Sequence, residues 1–238
     1  MHFVVFLGHL EEDREQRVNQ TATMEESKLK LYSSWRSSSS CRVRIALNLK
    51  GLKYEYKAVN LLKGEQFSPV RDISPLNYVP TLVDGDMVVV ESFAILMYLE
   101  DKYPQHPLLP PDLKKRAINY QAASFVSSSI QPLQNLVEQK YIAEEVGSDE
   151  KLSWVKHHME KGFAALEKLL KDHAAKYASG DEVFLADLFL APQIHDALTR
   201  FNVDMTQFPL LLRLNDAYNE LPAFQDAMPE KQPDYLQS

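Results

Sequence analysis

Apolar and polar residues alternate in four short segments of the N-terminal part of the chain. Such alternation predicts half-buried β-strands. The four segments are residues 29–32, 54–59, 79–83 and 87–90. The last two flank Asp84-Gly85, a dipeptide that is typical of a tight hairpin, so we expect these two strands to pair in antiparallel fashion.

Two other segments of this region repeat their apolar residues at helical spacing. They span about residues 39–49 and 91–103, and they are followed by Gly51 and Pro104, which are residue types that stop helices. The predicted order of elements is therefore βαβ followed by ββα.

Four prolines between residues 104 and 111 mark the point at which the strand patterns stop. Beyond them the sequence shows helical patterns, over about residues 112–139, 153–172 and 185–201. In the second pattern the predicted core residues are Trp154, Met159, Phe163, Leu166 and Leu170. We expect an α+β fold in which residues 28–107 form a mixed domain and residues 112–233 form an all-helical domain.

Residues 1–27 fit neither domain. A short apolar run at residues 3–7 is followed by four acidic residues between positions 11 and 15, which is the pattern of neither a secretory signal nor a transit peptide. We expect a disordered extension on a cytoplasmic protein. No apolar run approaches the ~20 residues of a membrane span, so we expect no contact with a membrane.

Composition narrows the classes of partner. The formal net charge of the 238 residues is −7 at pH 7 and no basic tail is present, which argues against nucleic acid as a partner. Cys41 is the single cysteine, which excludes an internal disulfide and a multi-cysteine metal site. The seven histidines show no metal-ligand spacing, and we expect no metal. A small anionic ligand remains compatible with this charge, because arginines act locally.

Residues 35–44 carry the most informative chemistry of the chain. Four consecutive serines, Ser37 to Ser40, stand where a strand pattern gives way to a helix pattern. The first amides of a helix lack internal partners and carry the positive end of its dipole, so a hydroxyl there can help to bind a thiolate, carboxylate or phosphate. Arg42 and Arg44 add positive charge. Taken alone, the segment favours the alternative interpretation, a serine N-cap followed by a helix with solvated arginines.

Other parts of the sequence favour the ligand site. Residues 36–47, Arg-Ser-Ser-Ser-Ser-Cys-Arg-Val-Arg-Ile-Ala-Leu, are similar to the signature Arg-Ser-Ser-Cys-x-x-Arg-Val-Arg-Ile-Ala-Leu of the zeta-class glutathione transferases, or maleylacetoacetate isomerases. Further similar segments are residues 60–64, 79–82, 130–136 and 223–225. The resemblance covers about residues 28–233. It implies a thioredoxin-like domain that binds glutathione, followed by a helical domain that supplies the second-substrate pocket.

The sequence departs from the family pattern at two points. The family cysteine falls on Ser39, and the only cysteine is Cys41. On a helix these two side chains point about 200° apart, so Cys41 cannot stand in for a thiol at position 39. Phe184 occupies a cap position where the family often has Ser or Thr, which weakens the N-capping box, although Asp187 can still bind a backbone amide.

The resemblance assigns catalytic roles to three residues. Ser37 is expected to donate a hydrogen bond to the sulfur of glutathione, and Ser39 takes the place of the family cysteine. Arg200 is expected to orient a substrate carboxylate, and the alternative for it is charge compensation at the C-terminal end of a helix.

The resemblance also implies a set of glutathione-binding residues. They are Ser37, Ser38, Arg42, Gln66, Val79, Pro80, Glu91, Ser92, Gln131 and Asn135. The Val79 backbone, before a cis-proline, is expected to pair with the cysteinyl part, and Ser92 is expected to bind the γ-glutamyl carboxylate. Glu91 is expected to pair with the amino group, and Gln66 to hold the glycyl end.

Several of these residues also have a purely structural interpretation. Pro80 can open an edge strand in the trans form, and Glu91 and Ser92 can simply cap a helix. Gln131 and Asn135, expected one turn apart on the first helix of the second domain, can be ordinary polar surface residues. The family places that segment at the active-site cleft and across the dimer interface.

The implied activity is the glutathione-dependent cis–trans isomerisation of maleylacetoacetate to fumarylacetoacetate, a step of tyrosine and phenylalanine catabolism, with transferase activity on small α-haloacids. The substrate is then a small anion, and a homodimer is expected. Two alternatives stay open: a general glutathione transferase or peroxidase with little isomerase activity, and a non-catalytic glutathione-binding scaffold.

Overall fold

The computed structural model describes residues 29–61, 70–148 and 150–235. The predictions for residues 1–27 and for Gln66 lie outside these ranges. Within the described residues, no helix has both the length and the apolar character that crossing a membrane requires.

A four-stranded mixed sheet forms the first part of the chain. Its strands, in the order β2-β1-β3-β4, are β1 (Leu29–Ser33), β2 (Glu55–Ala58), β3 (Thr81–Asp84) and β4 (Met87–Val90). β1 pairs in parallel with β2 and antiparallel with β3, and β3 pairs antiparallel with β4 across Gly85, whose φ of 64° suits glycine. The four predicted strands are confirmed, although β3 begins at Thr81 rather than at residue 79.

Two helices pack on this sheet, and they confirm the predicted βαβ-ββα order. They are α1 (Ser38–Leu49) and α2 (Ser92–Lys102). α1 buries Ile45 and Leu47, and α2 buries Ile95 and Leu99, in one hydrophobic cluster with Leu31 of β1. This cluster holds both helices on the sheet, and α1 begins within the serine segment.

Helices make up the regular structure of the described residues after α2. They are α3 (Leu113–Ser124), α4 (Leu136–Glu145), α5 (Glu150–Leu170), α6 (Leu185–Thr199), α7 (Pro209–Asn219) and α8 (Pro222–Gln225), with short 3₁₀ turns between some of them. The predicted all-helical character of this part is confirmed.

The predicted continuous helix over residues 112–139 is wrong. After α3 the chain forms a π-helix over Phe125–Ile130 and a 3₁₀ turn over Gln131–Gln134 before α4 begins. Pro132 has no amide hydrogen to donate to an earlier carbonyl, and Asn135 is extended, with ψ of 157°. Gln131 and Asn135 are therefore not one turn apart on a single helix.

The predicted core of α5 is confirmed with one exception. The buried predicted residues are Met159, Phe163, Leu166 and Leu170. Trp154 is 37% exposed, whereas its neighbour Val155 is 1% exposed. Val155 is the residue in phase with the stripe, because it precedes Met159 by four positions and so lies on the same helix face.

α6 is the central helix of the described molecule. It packs against α1, α3 and α7, and most of it is buried, although Pro192 lies inside it. Its N-terminal end is capped as the sequence suggested, because the Phe184 amide donates to Asp187 Oδ2 at 2.8 Å. Since α1 begins at the serine cluster and α6 ends before Arg200, their packing brings predicted site residues from both parts of the chain together.

The C-terminal segment returns to the first part of the chain. The Ala227 carbonyl oxygen accepts a hydrogen bond from Arg44 Nε at 2.9 Å. The Asp234 carboxylate accepts hydrogen bonds from the Trp35 amide at 3.0 Å and from the Tyr56 hydroxyl at 2.8 Å. These bonds hold the junction between β1 and α1 from residues near the other end of the sequence.

Candidate active site

A cavity of about 460 Å³ lies where the two parts of the chain meet. Its walls are the N-terminal ends of α1 and α2, the segment before β3, the broken helical segment after α3 and the C-terminal end of α6. The predicted site residues that line it are Ser37, Ser38, Ser39, Val79, Pro80, Glu91, Ser92, Gln131, Asn135 and Arg200. The structure thus brings together every predicted site residue that it describes except Arg42. A concave site of this size suits a small ligand.

Ser37 caps α1 at the edge of the cavity. Its Oγ accepts a hydrogen bond from the Ser40 amide at 3.1 Å, which is the contact that a serine N-cap requires. The hydroxyl hydrogen of Ser37 stays available to a ligand. Among the described residues, no acceptor binds the amides of Ser38 and Ser39, so the first turn of α1 offers further free donors. The capping role and the ligand-binding role are therefore compatible.

Gln131 joins the helical part to the serine cluster. Its Nε2 donates to Ser39 Oγ at 2.6 Å and to Ser38 Oγ at 3.1 Å. Its Oε1 accepts a hydrogen bond from a guanidinium nitrogen of Arg42 at 2.5 Å. Because Ser39 accepts the amide hydrogen of Gln131, its own hydroxyl hydrogen is left for another acceptor. Gln131 is therefore a built part of the site rather than a surface residue.

Arg42 lies behind the wall of the cavity, and it is not the solvated arginine of the alternative interpretation. It is fully buried, donates to Ser92 Oγ at 3.1 Å, and holds its guanidinium 4.3 Å from the ring centroid of Phe189. Burial lowers the pKa of Arg42 to about 9, so the group still carries its charge at neutral pH. From this position Arg42 orients Ser92 and Gln131. Arg42 itself does not line the cavity.

The segment before β3 and the N-terminal end of α2 form the opposite wall. The Val79-Pro80 peptide bond is cis, as the resemblance implied, and both residues line the cavity. Glu91 precedes α2 with φ of 67°, a conformation that is strained for a residue other than glycine, and its exposed side chain makes no cap hydrogen bond. Ser92 is the first residue of α2, and it is 6% exposed. Strained backbone of this kind is typical of ligand-binding positions.

Sequence reasoning missed two charged residues of this region. Arg36 lines the cavity together with Arg200, and the Asp196 carboxylate accepts a hydrogen bond at Oδ2 from Arg200 at 3.0 Å. Burial lowers the pKa of Arg36, and the charge of Arg200 lowers it further. Arg36 directly precedes Ser37, and Asp196 stands one turn before Arg200 on α6, so both positions were visible in the sequence.

Cys41 takes no part in the cavity. Its side chain is 1% exposed, and Sγ donates a hydrogen bond to the Ala227 carbonyl oxygen at 3.3 Å. Burial raises the pKa of the Cys41 thiol, which keeps it protonated and unreactive. The prediction that Cys41 cannot replace a thiol at position 39 agrees with this placement.

The cavity fits a tripeptide thiol that carries an α-amino acid group. An anionic sulfur is favoured beside Ser37 and the free amides of α1, because this is the positive end of the helix dipole. A carboxylate is favoured beside Ser92 at the N-terminal end of α2 for the same reason. An ammonium group is favoured beside the exposed carboxylate of Glu91. Glutathione carries these three groups.

Two family models match the chain. The model of the glutathione S-transferase N-terminal domain matches residues 31–107, and the model of the C-terminal domain matches residues 133–227. The first contains β2, β3, β4 and the two helices on the sheet, and the second contains α4 to α8.

Relatives and solved structures agree with this match. A zeta-class glutathione S-transferase of Euphorbia esula is 70% identical over 208 residues, which cover 87% of this chain and 92% of the relative. A maleylacetoacetate isomerase of Dictyostelium discoideum is 46% identical over 215 residues, which cover 89% and 98%. The crystal structure of a maleylacetoacetate isomerase from Anaeromyxobacter dehalogenans, with dicarboxyethyl glutathione and citrate bound in its active site, is 43% identical with a TM-score of 0.79 and covers 87% and 93%.

Proposed function

The chain belongs to the zeta class of the glutathione transferases, and we propose that it isomerises maleylacetoacetate to fumarylacetoacetate with glutathione as its cofactor. One observation carries the proposal: the cavity that Ser37 and the N-terminal end of α1 line also contains Arg36 and Arg200. A site for an anionic sulfur and a site for a carboxylate therefore share one cavity. This is the arrangement that thiol addition to an unsaturated acid requires.

Ser37 and the first turn of α1 act on the sulfur. A free thiol has a pKa of about 8.5, and only its thiolate is a good nucleophile. The Ser37 hydroxyl and the free amides of Ser38 and Ser39 stabilise the thiolate, so they lower the thiol pKa toward neutrality. When bound, glutathione supplies the thiolate that adds to the conjugated cis double bond and leaves again after rotation about that bond, so it is regenerated.

Arg36 and Arg200 act on the other end of the substrate. Both line the cavity, and both carry positive charge that a carboxylate can neutralise. Holding the carboxylate keeps one part of the substrate fixed while the other part rotates. Ser39 stands between the sulfur site and Gln131, and its free hydroxyl hydrogen can be donated to the sulfur in place of a family thiol. Ser92 and Glu91 hold the γ-glutamyl group of the cofactor.

We also propose activity on small α-haloacids, because they too have a carboxylate and, next to it, a carbon that a thiolate can attack. The carboxylate binds Arg200, and the thiolate forms a carbon–sulfur bond as the carbon–halogen bond breaks and the halide leaves with its electron pair. A general transferase or peroxidase needs the sulfur site alone, and a scaffold needs no carboxylate site. The presence of Arg36 and Arg200 in the same cavity favours the isomerase over both alternatives.

Turnover of maleylacetone, a soluble analogue of the substrate, tests the proposal. We expect isomerisation by the full chain with glutathione, and none with S-methylglutathione, which has no thiol to ionise. Turnover that does not depend on glutathione would contradict the proposal. Conjugation of a neutral electrophile without isomerisation would show that the protein is a general transferase.

The substitution Arg200→Ala separates the carboxylate site from the sulfur site. We expect KM for maleylacetone to rise about tenfold, because a charge-assisted hydrogen bond is lost. KM for the neutral electrophile 1-chloro-2,4-dinitrobenzene should hardly change. Arg213→Ala, which removes an exposed arginine of α7, is the charge-matched control. Equal losses for both electrophiles would mean that Arg200 only supports the fold.

We further propose that the two domains span residues 28–107 and 112–233. We also propose that the chain forms a homodimer and that it is located in the cytoplasm, as the resemblance implies. Exposed apolar side chains on β4 and α3, such as Met87 (48%) and Leu113 (78%), are surface of the kind that a subunit interface covers. Gel filtration should give twice the mass of one chain, and elution as a single chain would contradict the dimer. Cell fractionation with organelle markers tests the location.

A further inference from the structure

Asp196 is a buried acid beneath the cavity for which the proposed reaction has no use. It lies on α6, one turn before Arg200, and its side chain is 3% exposed. Its Oδ2 accepts a hydrogen bond from an Arg200 guanidinium nitrogen at 3.0 Å. A buried carboxylate without a partner is energetically unfavourable. The partner of Asp196 is Arg200, which itself lines the cavity.

The carboxylate site therefore contains two guanidiniums and one carboxylate. Burial raises the pKa of Asp196, and the charge of Arg200 and the hydrogen bond from it act in the opposite direction. The same nitrogen of Arg200 that binds Asp196 also lies 3.4 Å from the Arg36 backbone carbonyl oxygen, and the Arg36 and Arg200 side chains line the same cavity. The Nε atoms of Arg36 and Arg200 are buried and have no partner among the described residues. With Asp196 ionised in its ion pair with Arg200, the three side chains carry one net positive charge, and unused donors remain on both guanidiniums.

Asp196 also connects this group to the sulfur site. The Ser38 side chain lies close enough to Asp196 to lower the pKa of that carboxyl, and Gln131 Nε2 donates to Ser38 Oγ at 3.1 Å. The other ionisable groups around it are Arg42 and Cys41 of α1 and His195 of α6, of which Cys41 is held in the neutral thiol form by its burial. Residues of α1 as well as of α6 thus surround the Asp196 carboxylate, and Arg200 donates a hydrogen bond to it.

We propose that Asp196 is a specificity-determining positioning residue, which fixes Arg200 and limits the carboxylate site to one net positive charge. With that charge the site binds one carboxylate firmly and holds a dicarboxylate without excessive affinity, so a dianionic product can leave. The inference rests on the proposed function for its substrate class. It concerns the charge selectivity of the cavity, which is measurable without any turnover.

Binding of two matched acids tests this selectivity. Fumarate and crotonate have the same trans double bond, but crotonate has a methyl group where fumarate has its second carboxylate. Calorimetric titration of the full chain, saturated with the unreactive S-methylglutathione, gives Kd for each acid. In Asp196→Asn the hydrogen bond to Arg200 is kept and the negative charge is removed. We expect Kd to fall about tenfold for fumarate and about threefold for crotonate, because the added charge attracts a dianion more strongly.

Two variants control the measurement. Asp216→Asn changes the net charge equally at an exposed position of α7 and should leave both Kd values unchanged. Asp196→Ala removes the hydrogen bond as well and fits the space even if the asparagine variant folds poorly, and its gain for fumarate should be smaller than that of Asp196→Asn. In kinetics, Asp196→Asn should lower both KM and kcat for maleylacetone, because the substrate carboxylate is bound more tightly.

Equal affinities of the native protein and Asp196→Asn for both acids would overturn the inference, and so would weaker binding of both. A native protein that binds neither acid would overturn it as well, because the carboxylate site would then not exist. Failure of the native protein to turn over maleylacetone, together with the expected change in Kd, would count against the proposed function alone.

Discussion

The N-terminal ends of α1 and α6 are both capped by side chains, but they differ in how many backbone amides are left free. At α6 the capping residue Asp187 is fully buried, and the amides of Leu185 and Ala186 donate to the Leu108 carbonyl oxygen and to Asn119 Oδ1. At α1 the cap is a hydroxyl, and the amides that follow it face a cavity without a partner among the described residues.

The difference between the two helix ends shows how one local motif can stabilise a fold or bind a ligand. At α6 the first amides are taken by Asp187, by the Leu108 carbonyl oxygen and by Asn119, which leaves none of them for a ligand. A serine satisfies one amide and keeps a hydrogen to donate. Substitutions at each end should therefore affect different properties, and the predictions below run from the largest expected effect to the smallest.

Asp187→Ala should reduce the free energy of unfolding by about 4 kcal/mol, with no specific effect on glutathione chemistry. The carboxylate accepts hydrogen bonds from the amides of Phe184 and Ala178 and from the Tyr218 hydroxyl, at 2.6–2.9 Å. All three donors would be left buried and unpaired. Urea unfolding measures the loss. Asp204→Ala, which removes an exposed cap over Thr206, should lose only about 1 kcal/mol, and a similar loss in both variants would contradict the comparison.

Ser37→Ala should lower kcat of glutathione chemistry by about 10²–10³, equivalent to about 3–4 kcal/mol, because a donor to the thiolate is lost. Its effect on stability should be only that of a helix cap, about 1 kcal/mol. The ultraviolet absorbance of the bound thiolate and the initial rate measure the effect. Ser40→Ala is the control, because the Ser40 hydroxyl is buried, outside the cavity and without a partner among the described side chains. An unchanged thiolate and rate in Ser37→Ala would move the role to Ser38 or Ser39.

The pH dependence of stability should distinguish Asp187 from its asparagine variant. Burial raises the pKa of Asp187 to about 6, although the hydrogen bonds donated to it oppose the rise. The folded protein then binds this proton more tightly than the unfolded chain does, so the contribution to stability is present below about pH 4 and is lost as pH rises through 6. Lowering the pH from 7 to 5 should raise the free energy of unfolding of the native protein about 1 kcal/mol more than that of Asp187→Asn. Parallel pH curves for the two proteins would contradict this.

The smallest effects should come from Cys41 and Ser39. Cys41→Ala should leave maleylacetone isomerisation nearly unchanged, because Sγ points to Ala227 and away from the cavity. Ser39→Cys should change the rate or affinity only modestly, because glutathione supplies the nucleophile. A large gain from Ser39→Cys would show that the sequence has moved away from isomerisation. A large loss from Cys41→Ala would mean that a buried thiol controls the first turn of α1.

Local patterns in the sequence predicted the features that depend on nearby residues. The strands, the hairpin at Gly85 and the cap of α1 at Ser37 are of this kind. The break after α3 has a local cause in Pro132, but it also includes a close approach between distant segments that no local pattern shows. At Gly162 of α5 an added Cβ would lie 2.2 Å from Ile130 Cγ1, so the π-helical segment can pack there only against glycine.

The candidate site shows the same division between local and distant causes. Ser37 and Arg200 were predicted from motifs, whereas the burial of Arg42 between Ser92 and Gln131 required two distant segments to meet. Asp196 carries no motif of its own, and its importance follows only from the packing of α6 on α1. Trp154 was predicted to lie in the core because the expected helix phase was wrong by one residue. That shift is enough to exchange an exposed side chain, Trp154, for a buried one, Val155.

The hydrogen bonds that Asp234 accepts from the Trp35 amide and the Tyr56 hydroxyl determine when the site can be completed during protein synthesis. Synthesis begins at the N-terminus, so the junction that carries Ser37 leaves the ribosome long before residue 234 does. The sheet and α1 can form early, but the clamp on that junction has to wait for almost the entire chain. A ribosome stalled before residue 227 would display the serine cluster without either Asp234 or the Ala227 carbonyl that binds Arg44. In the nascent protein, the turn that carries the serines is therefore among the first segments made and the last to be secured.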